Sequence, residues 1–162
     1  MAQRIRATRP HMPGYGISRD GAALRPWRWA ERILRAGHNY WLATTRPDGR
    51  PHAMPVWAVW HAGALWFSSG AKSRKARNLA VQHECSVGTE RGKGAVIVEG
   101  AVKRIAASKV PREIAKLYAA KYGEGYPESS PLFRVDPRVV FGFSEATGEF
   151  TETATRWLFG RE

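Results

Sequence analysis

The sequence has little cysteine, few acidic residues and no long hydrophobic run. Its one cysteine, Cys85, rules out an intrachain disulfide and favours a reducing compartment. No stretch approaches the roughly 20 consecutive apolar residues that a membrane-spanning helix needs. The N-terminal region also lacks the apolar segment of a secretory signal. We therefore expect a cytoplasmic protein with no membrane partner.

The shortage of acidic residues leaves the chain strongly basic. Lys and Arg total 26 against 14 Asp and Glu, which gives a formal net charge of +12. Such a surplus attracts nucleic acid, acidic lipid or a polyanionic small molecule, and charge alone does not choose among them. A nucleic-acid partner is disfavoured because the tryptophans cluster in predicted strands and do not alternate with arginines along one face.

The chain has 162 residues, the size of one domain. Residues 1–25 predict an irregular basic arm, part of which packs on the rest of the protein, because prolines and glycines interrupt a run of arginines. Residues 26–162 predict one cofactor-binding domain. It opens with a short helix that Pro26 starts and Gly37 ends.

From residue 38 onward, the hydrophobic pattern predicts strands joined by short turns, with two further helices. We expect a hairpin turn at residues 47–49 and a β-bulge at Gly100. The predicted strands are 39–45, 51–61, 64–68, 84–89, 95–105, 138–144 and 150–159, and the further helices are 74–82 and 108–122. This order predicts a mainly β (α+β) fold, a six- to seven-stranded antiparallel barrel with two to three helices.

The clearest candidate site lies where the third strand gives way to a helix. Ser73 is a predicted N-cap, and a helix N-terminus offers unpaired N–H groups to a phosphate. The hydroxyls and cations that surround it are Ser68, Ser69, Lys72, Arg74, Lys75 and Arg77. The same pattern also fits a solvated, capped helix start, and it is not a Walker A loop because Gly70 and Lys72 are not adjacent.

The preceding strand offers an apolar wall for a planar ring. Pro55 deletes a ladder donor, which indicates a strand edge or a bulge, and Val56 and Trp57 follow it. The alternative is that Trp57 and Trp60 are ordinary core residues. His52 could contact a ring, although a single histidine is more often structural.

No catalytic residue or metal site is predicted. The histidines lack metal-ligand spacing, and no nucleophile–base motif is present. Cys85 lies in a strand pattern and is expected to be an inert buried thiol. Such a protein would take its reactive chemistry from a cofactor.

The sequence resembles a known family in several segments. The segments NYWLATTRPDGRPHAMPVW, LWFSS, SRKARNL and TRWLF are similar to the pyridoxamine 5′-phosphate oxidase-like split-barrel flavoproteins. Within that family they most resemble the flavin/deazaflavin oxidoreductases of the B group. The similarity runs from about His38 to Ile105 and resumes near the C-terminus.

The resemblance implies a homodimer with two cofactor sites at the subunit interface. It assigns Ser73, Arg74 and Lys75 to the cofactor phosphate, with Ser68 and Ser69 at the preceding strand end. The strand residues that would run along the ring system are Met54, Pro55, Val56 and Trp57. Arg156 and Trp157 would reach the cofactor from the C-terminal strand of the same or the partner subunit.

One departure from the family narrows the expected activity. True pyridoxamine phosphate oxidases carry an arginine where this chain has Met54, which argues against vitamin B6 oxidation. The basic cluster from Lys72 to Arg77 suits the deazaflavin coenzyme F420, which carries more negative charge than FMN. We therefore expect F420, or alternatively FMN, as the cofactor of an oxidoreductase that transfers hydride to a conjugated small-molecule acceptor. A non-catalytic flavin- or haem-binding protein is the remaining alternative.

Overall fold

The computed structural model describes residues 4–90, 94–146 and 148–160. Its elements alternate strands with short helices, and a 3₁₀ turn at Ala107–Lys109 precedes the third helix. In chain order they are β1 (Ile5–Thr8), α1 (Trp27–Ala36), β2 (Asn39–Thr45), β3 (Pro51–His61), β4 (Ala64–Ser68), α2 (Arg74–Val81), β5 (Glu84–Thr89), β6 (Gly94–Ile105), α3 (Arg112–Tyr122), β7 (Leu132–Ser144), α4 (Glu149–Thr153) and β8 (Thr155–Phe159).

The strands form one antiparallel sheet that closes into a barrel. Its order is β1-β8-β7-β4-β3-β2-β5-β6, and an additional pairing of β6 with β7 closes a ring of six strands. β8 and β1 extend the sheet from β7, outside this ring. The predicted antiparallel split-barrel architecture is confirmed.

Two glycines account for local geometry that the sequence predicted. Gly49 has a φ of 84° at the tip of the β2–β3 hairpin, a conformation that glycine adopts without strain. The register between β6 and β7 shifts between Glu99 and Gly100, so a bulge occurs beside Gly100 as predicted, but its extra residue is Arg138 of β7. A Cβ at Gly100 would lie 2.2 Å from the carbonyl oxygen of Asp136, so a side chain cannot fit there.

The barrel interior is filled by strand residues and capped by α1. Ala30 and Leu34 of α1 are fully buried against it. Trp27 packs its ring against Trp60 and Trp157, with ring centroids 5.8 and 5.7 Å apart. The apolar residues of this helix therefore face the barrel core.

The structure differs from the sequence predictions near both ends of the chain. The basic arm contains β1, which pairs with β8, so it is not wholly irregular. Residues 149–153 form α4 and not the start of the last strand, because Gly148 in the left-handed conformation begins a helical turn there. β7 begins at Leu132, six residues before the predicted strand, and pairs with β4 through this extension.

Within the described residues, no helix is both long enough and apolar enough to cross a lipid bilayer.

Candidate functional site

A cleft of about 830 Å³ opens beside β3 and β4, at the N-terminus of α2. Its volume is within the range of small-molecule and cofactor sites. The loop that joins α3 to β7 forms the opposite wall. The lining residues are Asn39, Trp41, Pro55, Val56, Trp57, Ser68, Ser69, Gly70, Ser73, Lys75, Glu90, Tyr118, Glu124, Gly125, Tyr126, Pro127 and Ser130.

One end of the cleft is a cluster of hydroxyl and ammonium groups. Ser73 caps α2, since its Oγ accepts a hydrogen bond from the amide of Ala76 at 3.2 Å. The Oγ atoms of Ser69 and Ser73 lie 2.9 Å apart in a hydrogen bond, and Lys75 lines the same cleft. The first amides of α2 have no partner within the helix, so this end offers several donors to an anion.

Buried contacts fix α2 in this position. Ala76, Asn78 and Leu79 are the buried residues of the helix. The side-chain amide of Asn78, which is fully buried, donates to Oγ1 of Thr44 in β2 at 3.0 Å. The N-terminus of α2 is therefore held against the barrel by packing and by a buried hydrogen bond.

The other end of the cleft has an aromatic wall. Trp57 is 43% exposed and stacks on the ring of Tyr122, with centroids 4.5 Å apart and planes 5° from parallel. Trp41, which is 46% exposed, lies opposite Pro55 in the β2–β3 register. This wall can pack against a flat ring.

Strand alternation divides the predicted ring-contacting segment between two faces. Pro55 and Trp57 are exposed and point to the same side of β3, whereas Val56 is buried. Met54 shares the side of Val56 and is absent from the cleft lining. Its role as a ring contact remains a prediction that the geometry of this subunit does not favour.

Two cations of the predicted phosphate site lie outside the cleft lining. Lys72 and Arg74 are exposed near the start of α2, while Lys75 is half-buried and faces the cleft. The pKa of His52 is lowered, first by desolvation and then by the charges of Arg46, Lys75 and Arg74. These three cations therefore make the electrostatic potential at His52 positive.

The two predicted site residues of the C-terminal strand, Arg156 and Trp157, lie on β8 and do not line the cleft of their own subunit. Trp157 is 1% exposed and belongs to the barrel core, which does not favour a contact between its side chain and a cofactor. Arg156 is partly buried, and its Nε donates to Oγ1 of Thr8 in β1 at 3.1 Å. Their predicted cofactor contacts are not tested by a single subunit.

The sequence interpretation missed the cleft residues contributed by α3 and the loop after it. The hydroxyl of Tyr118 donates to the carbonyl of Trp57 at 2.8 Å, and Tyr126 packs edge-on against the ring of Tyr118. Tyrosines recur every four residues at positions 118, 122 and 126, which is the signal that could have identified this wall.

Cys85 is not among the described residues that line the cleft. Burial raises the pKa of the Cys85 thiol to about 12, which fits the expected inert thiol. Across residues 4–90, 94–146 and 148–160, no group of three or more His, Cys, Asp or Glu side chains is arranged to hold a metal ion.

The profile of the pyridoxamine 5′-phosphate oxidase family matches residues 30–147, which is well over half of the chain and includes most of the cleft. The chain belongs to this family. The matched segment contains all six barrel strands in full, together with α2 and α3. No curated protein matches the chain at a significant level.

Solved structures with the same fold have diverse descriptions. A conserved hypothetical protein from Mycobacterium tuberculosis is 20% identical, with a TM-score of 0.64 over 77% of this chain and 88% of the other. A protein described as an F420 reductase is 23% identical, with a TM-score of 0.55 over 68% and 94%. A haem-binding protein from Mycobacterium smegmatis is 18% identical, with a TM-score of 0.57 over 77% and 57%. At these identities, the similarity establishes the fold alone.

Proposed function

We propose that this protein binds the deazaflavin coenzyme F420 in the cleft and uses it to transfer hydride to a conjugated small-molecule acceptor. FMN is the alternative cofactor. The observation that carries the proposal is the division of one cleft into an anion-binding end and an aromatic end. A phosphate-bearing planar cofactor has the matching two parts.

The residues present suit such a cofactor. Ser69, Ser73 and Lys75 provide donors for a phosphate, and hydrogen bonds to a charged acceptor are stronger than neutral ones. Trp57 presents a partly exposed aromatic face whose orientation is fixed by stacking on Tyr122. No residue from the cleft lining is needed as a nucleophile.

The distribution of charge favours F420 over FMN. Both cofactors offer one phosphate, but F420 also carries a glutamate tail with additional carboxylates. Three further exposed cations lie just before or within the first part of α2, at Lys72, Arg74 and Arg77. They are suited to the additional negative charge of the tail.

The haem alternative has less support from the cleft. Among the described lining residues there is no His, Cys or Met, the usual axial ligands of haem iron. The hydroxyl of Tyr118, a less common type of ligand, is engaged with the backbone of β3 and β4.

The division of work between protein and cofactor follows from these contacts. The bound cofactor supplies the hydride, and the acceptor takes it. The chain's own residues bind the phosphate, hold the ring face against Trp57 and exclude water from one side of it. Such orientation is a large part of catalysis when no side chain reacts.

We propose in addition that the protein acts as a cytoplasmic homodimer. Trp41, Pro55 and Trp57 form an exposed apolar stripe across β2 and β3, in the wall of the cleft. A second copy would cover this stripe and complete the cofactor site.

Steady-state turnover tests the proposed activity. Reduced F420 and a panel of quinones and enones are mixed with the protein, and the oxidation of the cofactor is followed by its visible absorption. We expect protein-dependent oxidation with at least one acceptor, in step with reduction of that acceptor. If reduced FMN is oxidised under these conditions and reduced F420 is not, the FMN alternative is correct.

A further inference from the structure

Two tyrosines of α3 insert their hydroxyl groups between backbone groups of neighbouring barrel strands. The hydroxyl of Tyr118 accepts a hydrogen bond from the amide of Ser68 at 3.0 Å and donates to the carbonyl of Trp57 at 2.8 Å. The β3–β4 register ends at Ala58 and Phe67, so Trp57 and Ser68 would be the next pair of the ladder. The tyrosine hydroxyl thus takes the place of a direct strand–strand bond.

Tyr122 makes the equivalent contact on the other side of β3. Its hydroxyl accepts from the amide of Ala58 at 2.8 Å and donates to the carbonyl of His38 at 2.7 Å. The β2–β3 register ends at Asn39 and Trp57, so His38 and Ala58 would be the next pair. β3 is therefore separated from β4 at Trp57 and from β2 at Ala58, and these two successive residues lie beside the cleft.

Burial makes the bridge at Tyr118 costly to lose, whereas Tyr122 is half-buried. Tyr118 is 1% exposed, and desolvation raises the pKa of both phenols, that of Tyr122 to about 12. They therefore remain neutral donors over the physiological range of pH. Removal of a hydroxyl leaves the facing amide and carbonyl without a partner.

We infer that Tyr118 and Tyr122 are positioning residues, which fix Trp57 of the aromatic wall and Ser68, the residue that leads into the hydroxyl cluster, where they face each other across β3 and β4. Tyr118 holds the backbone of both residues through one oxygen atom, and Tyr122 supports the ring of Trp57 by stacking. The placement of Trp57 relative to Ser68 is thus set by α3, which packs against β3, β4 and β7. This inference rests on the proposed function, because it concerns the binding of that cofactor.

The variants Tyr118→Phe and Tyr122→Phe test the inference, since each removes one hydroxyl and keeps the ring. Tyr15→Phe is the matched control, because Tyr15 is 62% exposed and packs on Phe150. Dissociation constants for F420 and FMN are measured well below the melting temperature of every variant. We expect Tyr118→Phe to weaken both cofactors about tenfold, and Tyr15→Phe to leave them unchanged.

Two further readouts separate positioning from stability. We expect faster hydrogen exchange at the amide of Ser68 in Tyr118→Phe and at that of Ala58 in Tyr122→Phe, each without bound cofactor. We also expect the visible band of the bound cofactor to shift in Tyr122→Leu, which removes the stacked ring. Lower melting temperatures with wild-type affinity and an unshifted band would overturn the inference.

The two proposals can fail separately. If the wild-type protein binds neither F420 nor FMN, the proposed function fails. Exchange at the amides of Ser68 and Ala58 still decides whether the hydroxyls hold the strands, and unchanged exchange in both variants would reject the positioning role as well.

Discussion

At the scale of single residues, the two ends of the cleft depend on different forces. The anion-binding end relies on hydrogen-bond donors that the helix cap at Ser73 holds in place. The aromatic end relies on packing, since Trp57 lies flat against Tyr122. Substitutions at the first end should change affinity for anions, whereas those at the second should change ring orientation.

Lys75 is the cation that should contribute most to phosphate binding. It lines the cleft, whereas Arg74 is exposed beside it. We predict that Lys75→Ala weakens cofactor binding about tenfold or more, because a charge-assisted hydrogen bond is worth roughly 1.5–3 kcal/mol. Titration of F420 into the folded variant measures this effect.

Lys116→Ala serves as the control for that titration, because Lys116 is an exposed lysine of α3 outside the cleft lining. It should retain wild-type affinity. Equal affinities for the wild type and Lys75→Ala would mean that the basic cluster is an ordinary solvated helix start.

At the scale of elements, α3 is fixed to the barrel by a half-buried lysine. Lys121 Nζ donates to the carbonyl oxygens of Gly37 and Ala58 at 2.8 and 3.1 Å, and to the hydroxyl of Tyr40 at 3.0 Å. Desolvation, followed by the charge of Arg35, lowers the pKa of Lys121 to about 8. This helix carries the positioning tyrosines, so its attachment affects the cleft.

The lowered pKa predicts how pH changes stability. Between pH 8 and the ordinary lysine pKa of 10.5, the unfolded chain holds a proton on Lys121 that the folded protein has lost. Stability from this group therefore increases as pH rises through that window. We expect the free energy of unfolding of the wild type, relative to Lys121→Met, to increase from pH 8 to 10.5.

Urea denaturation of both proteins across this range measures the difference, and contributions from other titrating groups largely cancel. A difference that stays constant with pH would contradict the depressed pKa. A lower overall stability of Lys121→Met is expected in either case, because two carbonyl oxygens lose their donor.

The sequence predicted the elements whose signals are local. The β2–β3 hairpin follows from its turn residues, and the start of α2 follows from the capping pattern at Ser73. β1 was not predicted, because its partner β8 lies about 150 residues away and Ile5–Thr8 has only a weak strand pattern. The role of Tyr118 was also not predictable, since a buried helical tyrosine gives no sign of the strands that its hydroxyl bridges.

In the candidate site, too, the residues with a local signal were predicted and those that depend on tertiary packing were not. Ser68, Ser69, Ser73 and Lys75 were identified from sequence because they are contiguous around one helix start, and all line the cleft. The facing wall comes from the loop at residues 123–131, which joins the site only through tertiary packing. Trp157 is buried because alternate residues of β8 face the core, and the sequence pattern alone did not show which of them do so.

At the scale of the whole molecule, the exposed apolar stripe predicts self-association. We expect the wild-type protein to sediment as a homodimer at micromolar concentration. The variant Trp41→Lys should shift it toward the monomer, since a lysine would place a charge within the stripe.

Val81→Lys is the matched control for the sedimentation experiment. Val81 is 67% exposed at the end of α2, which is not part of the stripe. A wild-type monomer with cofactor bound, or equal effects of the two lysine substitutions, would reject the dimer proposed here.

The net charge of +12 also belongs to the whole molecule, and it bears on the choice of cofactor. In the proposed complex, only F420 would extend carboxylates toward the outer cations Lys72, Arg74 and Arg77. Such exposed contacts are each worth well under about 1 kcal/mol, so several must act together. They are also screened by salt, since the Debye length is about 8 Å at physiological ionic strength.

Titration of F420 and of FMN into the protein, at low and at high salt, tests the central claim most directly. The account predicts that F420 binds more tightly than FMN at low salt and that the preference shrinks as salt is added. Binding of FMN as tight as that of F420 at low salt would contradict it and establish FMN as the cofactor. A preference for F420 that is independent of salt would contradict the charge argument and assign the discrimination to the ring pocket at Pro55, Val56 and Trp57.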